Sequence, residues 1–268
     1  MTKYADTKTQ NLDDLIAVEE PLQIVIIHKG DEKEAPLTIT MRSPGNDFDL
    51  AIGLLYSEGI IQTIDDIANI RYCALVDEAN RQNKLKITLK PTIDVNIANI
   101  QRSFLSNSSC GICGKQLLEQ FFENIQPVQI PSEKIPIAKI LNLPDHLKAA
   151  QLLFKHTGGI HACALVAFKG GILTVKEDIG RHNAFDKLIG DQLTKRASFA
   201  NTIAVLSGRI GYEMAQKAAK AGIPVIVAIG APTSLAIDIA KKAGICLIGF
   251  VKKNSLNIYT NPEYIQTN

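Results

Sequence analysis

Two cysteines, Cys110 and Cys113, stand in the stretch SSCGICGKQ, each followed by a glycine. Three chemistries use such a pair: half of a zinc site, a dithiol–disulfide cycle, or a thiolate that accepts a group and passes it on. A structural zinc site needs four ligands, and no second C-x-x-C or H-x-x-x-H is present to complete one. Disulfide cycling asks for a pair that opens a helix after a strand, because the positive end of the helix dipole stabilises a thiolate. The following KQLLEQFFENI has Leu117, Leu118, Phe121 and Phe122 in a helical pattern, which puts Cys113 near a helix N-terminus. The preceding SFLSNSS, however, is a weak strand, and the aromatic and proline neighbours of thioredoxin-like pairs are missing. Glycines around Cys113 favour mobile or positive-φ backbone, as a thiolate serving two partners requires. The motif alone leaves cycling and carriage both open.

A second group of residues could hold an anion. In EDIGRHNAFDK, residues 177 to 187, Arg181, His182 and Asn183 lie where a strand hands over to a helix. Backbone N–H groups in a helix's first turn, with a cation beside them, make an anion site. LSGRIGYEM repeats the arrangement with Ser207, Gly208 and Arg209, at the kind of strand end where open α/β sheets bind ligands. Thr233 in IGAPTS reads as a helix N-cap, and FVKKNS, residues 250 to 255, places Lys252, Lys253 and Asn254 in a turn between two strands. Neither G-x-G-x-x-G nor a P-loop is present. His161 and Cys163 in TGGIHACALV resemble half of a zinc-deaminase signature, but Cys163 stands where H-x-E needs its glutamate and no P-C-x-x-C follows.

The elements that must position these residues fall into two styles. From Pro21 to about Pro91, PLQIVIIH, APLTITMR and KLKITLK read as strands, the last with Leu85, Ile87 and Leu89 on one face. Between them a helix is expected, capped by Asn46, with Phe48, Ala51, Ile52 and Leu55 on its buried side. Pro144 and Asp145 are expected to open a helix running through LKAAQLLFKH to Gly158-Gly159, with Leu147, Ala150 and Phe154 on one side. IHACALVAF and ILTVKED then form a hairpin joined at Gly170-Gly171. Beyond it, helices and strands alternate to the end of the chain, which predicts crossover connections and a mixed, largely parallel sheet covered on both faces. The expected fold class is α/β, with a flexible segment over 1–20, a small α+β domain over 21–100, a cysteine loop and connector over 101–136, and an α/β domain over 137–268.

Composition sets the outer limits. The chain has 268 residues and is 46% hydrophobic, long enough for about two domains of roughly 150 residues. A net charge of +2, from 29 basic and 27 acidic side chains, gives no field that implies nucleic acid, so any anion site must be local. The polar start lacks an apolar signal region and no apolar run approaches the roughly 20 residues of a membrane span, so a cytoplasmic protein without a membrane partner is expected. Cys73, Cys163 and Cys246 sit in apolar surroundings and read as core.

With these residues assembled, the sequence resembles the FdhD family of sulfur carriers required for formate dehydrogenase activity. The likeness spans nearly the whole chain and rests on TMRSPG, SSCGICG, TGGIHACAL, EDIGRHNAFDK, SGRIGYEM and the ending IGAPTSLAIDIAKKAG to GFVKKNSLNIYT. It implies a C-terminal domain with a cytidine-deaminase-like three-layer fold lacking the zinc site, and a homodimer. It also implies that a cysteine desulfurase, a pyridoxal-phosphate enzyme, loads sulfur as a persulfide on Cys110, with Cys113 as its partner. The sulfur would pass to the bis(molybdopterin guanine dinucleotide) cofactor of molybdenum or tungsten before its insertion into formate dehydrogenase. The cofactor, bound as substrate with no metal ligated by the protein, would meet the stretch Phe250, Val251, Lys252, Lys253, Asn254 and Ser255. Arg209, Arg181 and His182 are our own additions to that set, as donors for its pyrophosphates. The alternative is a dithiol redox enzyme or sensor built on the same pair.

Overall fold

The computed structural model describes residues 1–5, 8–27, 34–73, 82–93 and 125–267. The chain begins with a short antiparallel hairpin, β1 (Thr2–Ala5) and β2 (Lys8–Asn11), of which the polar composition gives no sign. Next come β3 (Glu20–Ile27), β4 (Glu34–Arg42), α1 (Asp47–Ser57), β5 (Ile67–Tyr72) and β6 (Lys84–Leu89). The four strands form a sheet in the order β4-β3-β6-β5, in which only β3 and β6 run parallel. Period-two alternation puts Leu22, Ile24 and Ile26 of β3 beside Leu85, Ile87 and Leu89 of β6, and this fully buried face closes on Leu50, Ala51 and Leu55 of α1. Each such side chain contributes about 1.5–3 kcal/mol when buried. A one-residue slip would turn the whole set outward, so the alternation also fixes register.

Two details of α1 differ from expectation. Asn46 does precede the helix, but its side chain makes no cap; the residue is left-handed (φ 55°) and its carbonyl accepts the Leu50 N–H at 2.9 Å. Asparagine tolerates that conformation better than most residues. Phe48 is 37% exposed instead of buried, its ring 5.1 Å from that of Tyr72. The buried stripe starts one residue earlier, at Asp47, whose carboxylate is held by Arg42, and this rotates Phe48 outward.

The second half contains β7 (Ile135–Pro136), α2 (Ile137–Ala150), α3 (Leu152–Thr157), β8 (His161–Ala167), β9 (Ile172–Asp178) and α4 (Arg181–Thr194). It continues with β10 (Thr202–Leu206), α5 (Tyr212–Ala221), β11 (Val225–Ala228), α6 (Ser234–Ala243), β12 (Cys246–Lys252), β13 (Ser255–Ile258) and β14 (Ile265–Gln266). A six-stranded sheet runs in the order β13-β12-β11-β10-β8-β9. It is mixed as expected, but parallel pairing is confined to β10, β11 and β12; the β8–β9 hairpin and β13 join antiparallel. Helices cover both faces, giving three layers: α2 packs on one side with Ile140, Leu143 and Leu147, and α4, α5 and α6 pack on the other. Cys163 and Cys246 are buried in these layers and Cys73 is buried at the end of β5, all three as free thiols.

The helix expected to open at Pro144 starts seven residues earlier. Pro144 lies inside α2, and the chain breaks at Gln151 (φ −78°, ψ 103°) before α3 resumes. The short parallel pairing of β7 with β14 delivers the chain directly into α2 at Ile137, and the apolar stripe Ile140, Leu143, Leu147 holds the helix across a proline that would otherwise mark its start.

The two sheets meet through α1 and α4, which cross in backbone contact. A Cβ on Gly53 would stand 1.9 Å from the Asp186 carbonyl oxygen, and one on Gly190 would stand 1.9 Å from that of Asp49. Only glycine permits the approach at both points. Lys176 spans the same junction, its Nζ 2.8 Å from Asp49 Oδ2 and 2.9 Å from Asp191 Oδ1.

Candidate functional site

The parallel strands β10, β11 and β12 end at one edge of the six-stranded sheet. Because β8 runs antiparallel to β10, its first residue, His161, lies at that same edge, opposite Asp178 at the end of β9. The loops leaving the strands are stitched by backbone hydrogen bonds: Gly230 N–H donates to Gly208 O at 3.3 Å, and Phe250 N–H donates to Gly230 O at 3.1 Å. Ser207 Oγ accepts the Ala162 N–H at 2.9 Å, tying β10 to β8. The helices α4, α5 and α6 all begin here, so their free N–H groups and positive dipole ends share the edge. Thr233 caps α6 with its side chain, as expected, accepting from Ala236 N–H.

Arg181 is the first residue of α4, and its Nε is buried without a hydrogen-bond partner. It stands beside His161: a methyl group added to Gly208 would lie 3.4 Å from His161 Nδ1 and 3.9 Å from Arg181 Cδ. Burial, reinforced by the Arg181 and His182 charges, pushes the His161 pKa down, which favours the neutral ring. His182 Nε2 meets the Glu213 carboxylate, and that contact holds Glu213 below the usual carboxylate range. Arg209, at the end of β10, is exposed. Among the described residues neither Arg181 nor Arg209 forms an ion pair.

The backbone carrying Arg181 is fixed from beneath by a buried network that sequence reasoning missed. Asp178 Oδ2 takes the Lys187 ammonium at 2.7 Å and the Ser43 N–H at 3.2 Å, while its Oδ1 takes the Gly180 N–H at 2.9 Å. Ser43 Oγ accepts the Ile179 N–H at 3.1 Å, and Ser43 O accepts Lys187 Nζ at 2.9 Å. Asn183 joins in, with Nδ2 donating to Met41 O at 2.7 Å. The motif residues Ser43, Asp178 and Asn183 thus lock the N-terminal sheet to the start of α4. No periodic pattern signals this, since strand end, helix and N-terminal loop are far apart in sequence.

The stretch from Phe250 to Ser255 forms the tip of the β12–β13 hairpin, where Lys252 pairs with Ser255 across a break in register. Phe250 is left-handed (φ 52°) and 44% exposed, an unusual state for a bulky side chain that costs about 1–3 kcal/mol and tends to persist at functional positions. Lys252, Lys253, Asn254 and Ser255 are exposed, whereas the Val251 side chain is buried against the second face of the sheet and could offer a ligand only its backbone. The structure therefore gathers Arg181, His182 and Arg209 at the strand ends and sets the hairpin tip beyond the neighbouring strand. No described contact joins its lysines to either arginine. The Cys110–Cys113 pair, and the helix expected after it, lie outside the described residues.

A cavity of about 550 Å³ opens beside His161, lined on the α2–α3 side by Asp145, Lys148, Gln151 and Phe154 and on the sheet side by Ser207 and Ile229. A second, of about 590 Å³, lies between α1 and α5 around Tyr56, Glu58 and Lys220 and contains none of the expected site residues. Among the described residues no cluster of three His, Cys, Asp or Glu side chains could hold a metal ion, and no helix is long and apolar enough to cross a membrane.

Comparison with known proteins gives a consistent result. The model of the FdhD/NarQ family matches residues 17–266. A protein of Sulfolobus acidocaldarius named sulfur carrier protein FdhD is 42% identical, over 99% of this chain and 96% of its own. One of the same name from Streptomyces avermitilis is 40% identical, over 94% of this chain and 89% of its own. A crystal structure described as a candidate formate dehydrogenase accessory protein, from Desulfotalea psychrophila, superposes with a TM-score of 0.75 at 24% identity, covering 99% of this chain and 97% of that one.

Proposed function

The chain belongs to the FdhD/NarQ family, and from that premise we propose that it is a sulfur carrier serving formate dehydrogenase, using a persulfide on Cys110. In the proposed step the Cys110 thiolate attacks the outer sulfur of a persulfide on a cysteine desulfurase. A new S–S bond forms at Cys110, the donor's S–S bond breaks, and the donor cysteine leaves as thiolate, so no outside oxidant is needed. The recipient is the bis(molybdopterin guanine dinucleotide) cofactor, handled as substrate. Its guanine nucleotide ends would lie at the carboxyl edge, with Arg181, Arg209 and the α4 and α5 N-termini facing pyrophosphate oxygens and the Phe250–Ser255 tip alongside.

One observation supports this placement above the others: Arg181 Nε is buried at a helix start with no acceptor. Buried donors are satisfied in the great majority of native sites, so an anionic ligand is the natural partner. Cys113 stands close enough in sequence to attack a Cys110 persulfide, which would release sulfide and leave a disulfide, so the reading requires that path to be disfavoured in the loaded protein.

The test is intact mass. Incubation with cysteine desulfurase and cysteine should add one sulfur atom to the wild-type chain, removable by reductant, and none to Cys110→Ala. An adduct unchanged in Cys110→Ala refutes the assignment, and a loss of two hydrogens in place of a gain of sulfur marks dithiol cycling.

A further inference from the structure

The cavity of about 590 Å³ between α1 and α5 has walls suited to positive charge. Helix α5 begins at the carboxyl edge and its last turn lines this cavity, about 15 Å further on for a helix of ten residues. The last turn of α1 lines it too, so two helices bring their C-terminal, negative ends to one place. α1 carries no basic residue in its own last turn to offset that end. Glu58, the residue that ends α1, adds a carboxylate, which makes no ion pair or hydrogen bond among the described residues. The residue reaches water through the cavity, yet its pKa is raised, first by burial against the surrounding protein and then, with Lys217 opposing, by the charges of Asp186 and Glu213. A carboxylate that has lost part of its water gains from a cation beside it.

Tyr56 supplies the other half of the recognition. Its hydroxyl donates to the Lys220 carbonyl at 2.8 Å, which fixes the ring, and the Lys220 ammonium stands 5.7 Å from the ring centre. The same ammonium donates to Gln62 Oε1 at 3.3 Å. An aromatic face and an amide oxygen thus already hold one alkylammonium, which the chain supplies from its own exposed Lys220. That placement leaves Glu58 without a partner, so the chain does not satisfy carboxylate and ring together.

We propose that this cavity receives the lysine or arginine side chain of a protein partner. The entering cation lies between the Glu58 carboxylate and the Tyr56 ring, and Lys220 is the resident placeholder that it displaces. A side chain suits the lining better than a free small molecule: with Lys220 displaced, the walls offer one carboxylate and one ring for a single cationic end and no charged group for the rest of a ligand. Ile125 and Gln126, where the described chain resumes after the cysteine connector, form part of the wall. A partner anchored here is therefore held at the root of the segment that carries Cys110 and Cys113.

The test is an NMR titration of the full chain that follows the Gly59 and Lys220 amides. Three probes are compared: N-acetylarginine methylamide, its uncharged isostere N-acetylcitrulline methylamide, and putrescine. The arginine probe should bind saturably and at least about tenfold tighter than the citrulline one, the difference expected for a hydrogen bond to a charged group. Glu58→Gln should remove most of that difference, whereas Lys220→Met, by vacating the ring, should tighten the arginine probe. Equal affinity for the two isosteres overturns the proposal, as does failure of the arginine probe to bind even Lys220→Met, or an affinity that neither substitution changes. Putrescine binding tighter than the arginine probe would assign the cavity to a free amine and overturn the protein partner. Arg181 and Arg209 take no part, so the outcome is independent of whether the carboxyl edge binds a nucleotide.

Discussion

In the belt between the two sheets Lys176, Lys187 and Lys217 each meet a carboxylate, whereas at the carboxyl edge Arg181, Arg209, Lys252 and Lys253 meet none among the described residues. The two regions are neighbours; Asp178 in the belt and Arg181 at the edge are three residues apart. In the belt charge is neutralised locally, hydrogen-bonded on several sides and buried, with Ser57 Oγ adding a bond to Asp186 at 2.9 Å. At the edge the belt holds only the backbone that carries Arg181, and the four cations have no counter-charge among the described residues. Resemblance to a family does not separate the regions, since EDIGRHNAFDK supplies Asp178 and Lys187 to the belt and Arg181 to the edge. Physical pairing separates them: satisfied polar groups fix geometry, and unsatisfied ones mark where a ligand belongs.

The most severe way to test the contrast is to unpair the belt. Lys187→Met leaves Asp178 buried with its principal charge partner gone, and such half-broken pairs cost about 3–5 kcal/mol. Urea denaturation should show that loss, and the double variant Lys187→Met with Asp178→Asn should recover part of it. A Lys187→Met variant as stable as wild type would mean that the belt does not fix the two sheets.

Gly53→Ala is a smaller perturbation of the same belt. Its methyl group would have to displace the Asp186 carbonyl, which is backbone and lies within 1.9 Å, so overpacking of about 1–3 kcal/mol is expected. The same measurement checks it, and Gly59→Ala, at a position with nothing within 4 Å of the added methyl, separates crowding from the φ +76° strain that Gly59 alone would incur. Only the Gly53 change should also lower the stabilising effect of Ser57 on Asp186, because that pair sits across the same crossing.

How much of this was legible in the sequence follows the same division. The alternation of β6, the apolar runs of β10 to β12, the hairpin at Gly170-Gly171 and the Thr233 cap are local patterns, and the structure contains them. The placement of Arg181 and Arg209 at one edge was legible because strand-to-helix transitions in an α/β sheet point to one edge by topology. The belt was not. Ser43 and Asp178 are 135 residues apart, and nothing in the residues around either one announces the other. Pro144 misled for a related reason: its local meaning as a helix opener is overridden by the β7–β14 pairing, made with residues at the far end of the chain.

The smallest expected effect sharpens the contrast from the other side. If the edge is shaped for a ligand and not for stability, relieving its strain should help the fold while harming the site. Phe250 holds a left-handed conformation that glycine adopts without penalty, and its ring is 44% exposed, so little packing is lost on removing it. Phe250→Gly should therefore raise stability by up to about 1 kcal/mol, the gain from strain offset in part by the greater freedom of the unfolded chain. Guanosine diphosphate affinity should fall at the same time, because the exposed ring beside the hairpin tip is gone. Opposite signs in the two measurements belong to a strained recognition residue. A loss of stability with affinity unchanged would place Phe250 with the belt, as a packing residue that happens to reach the surface.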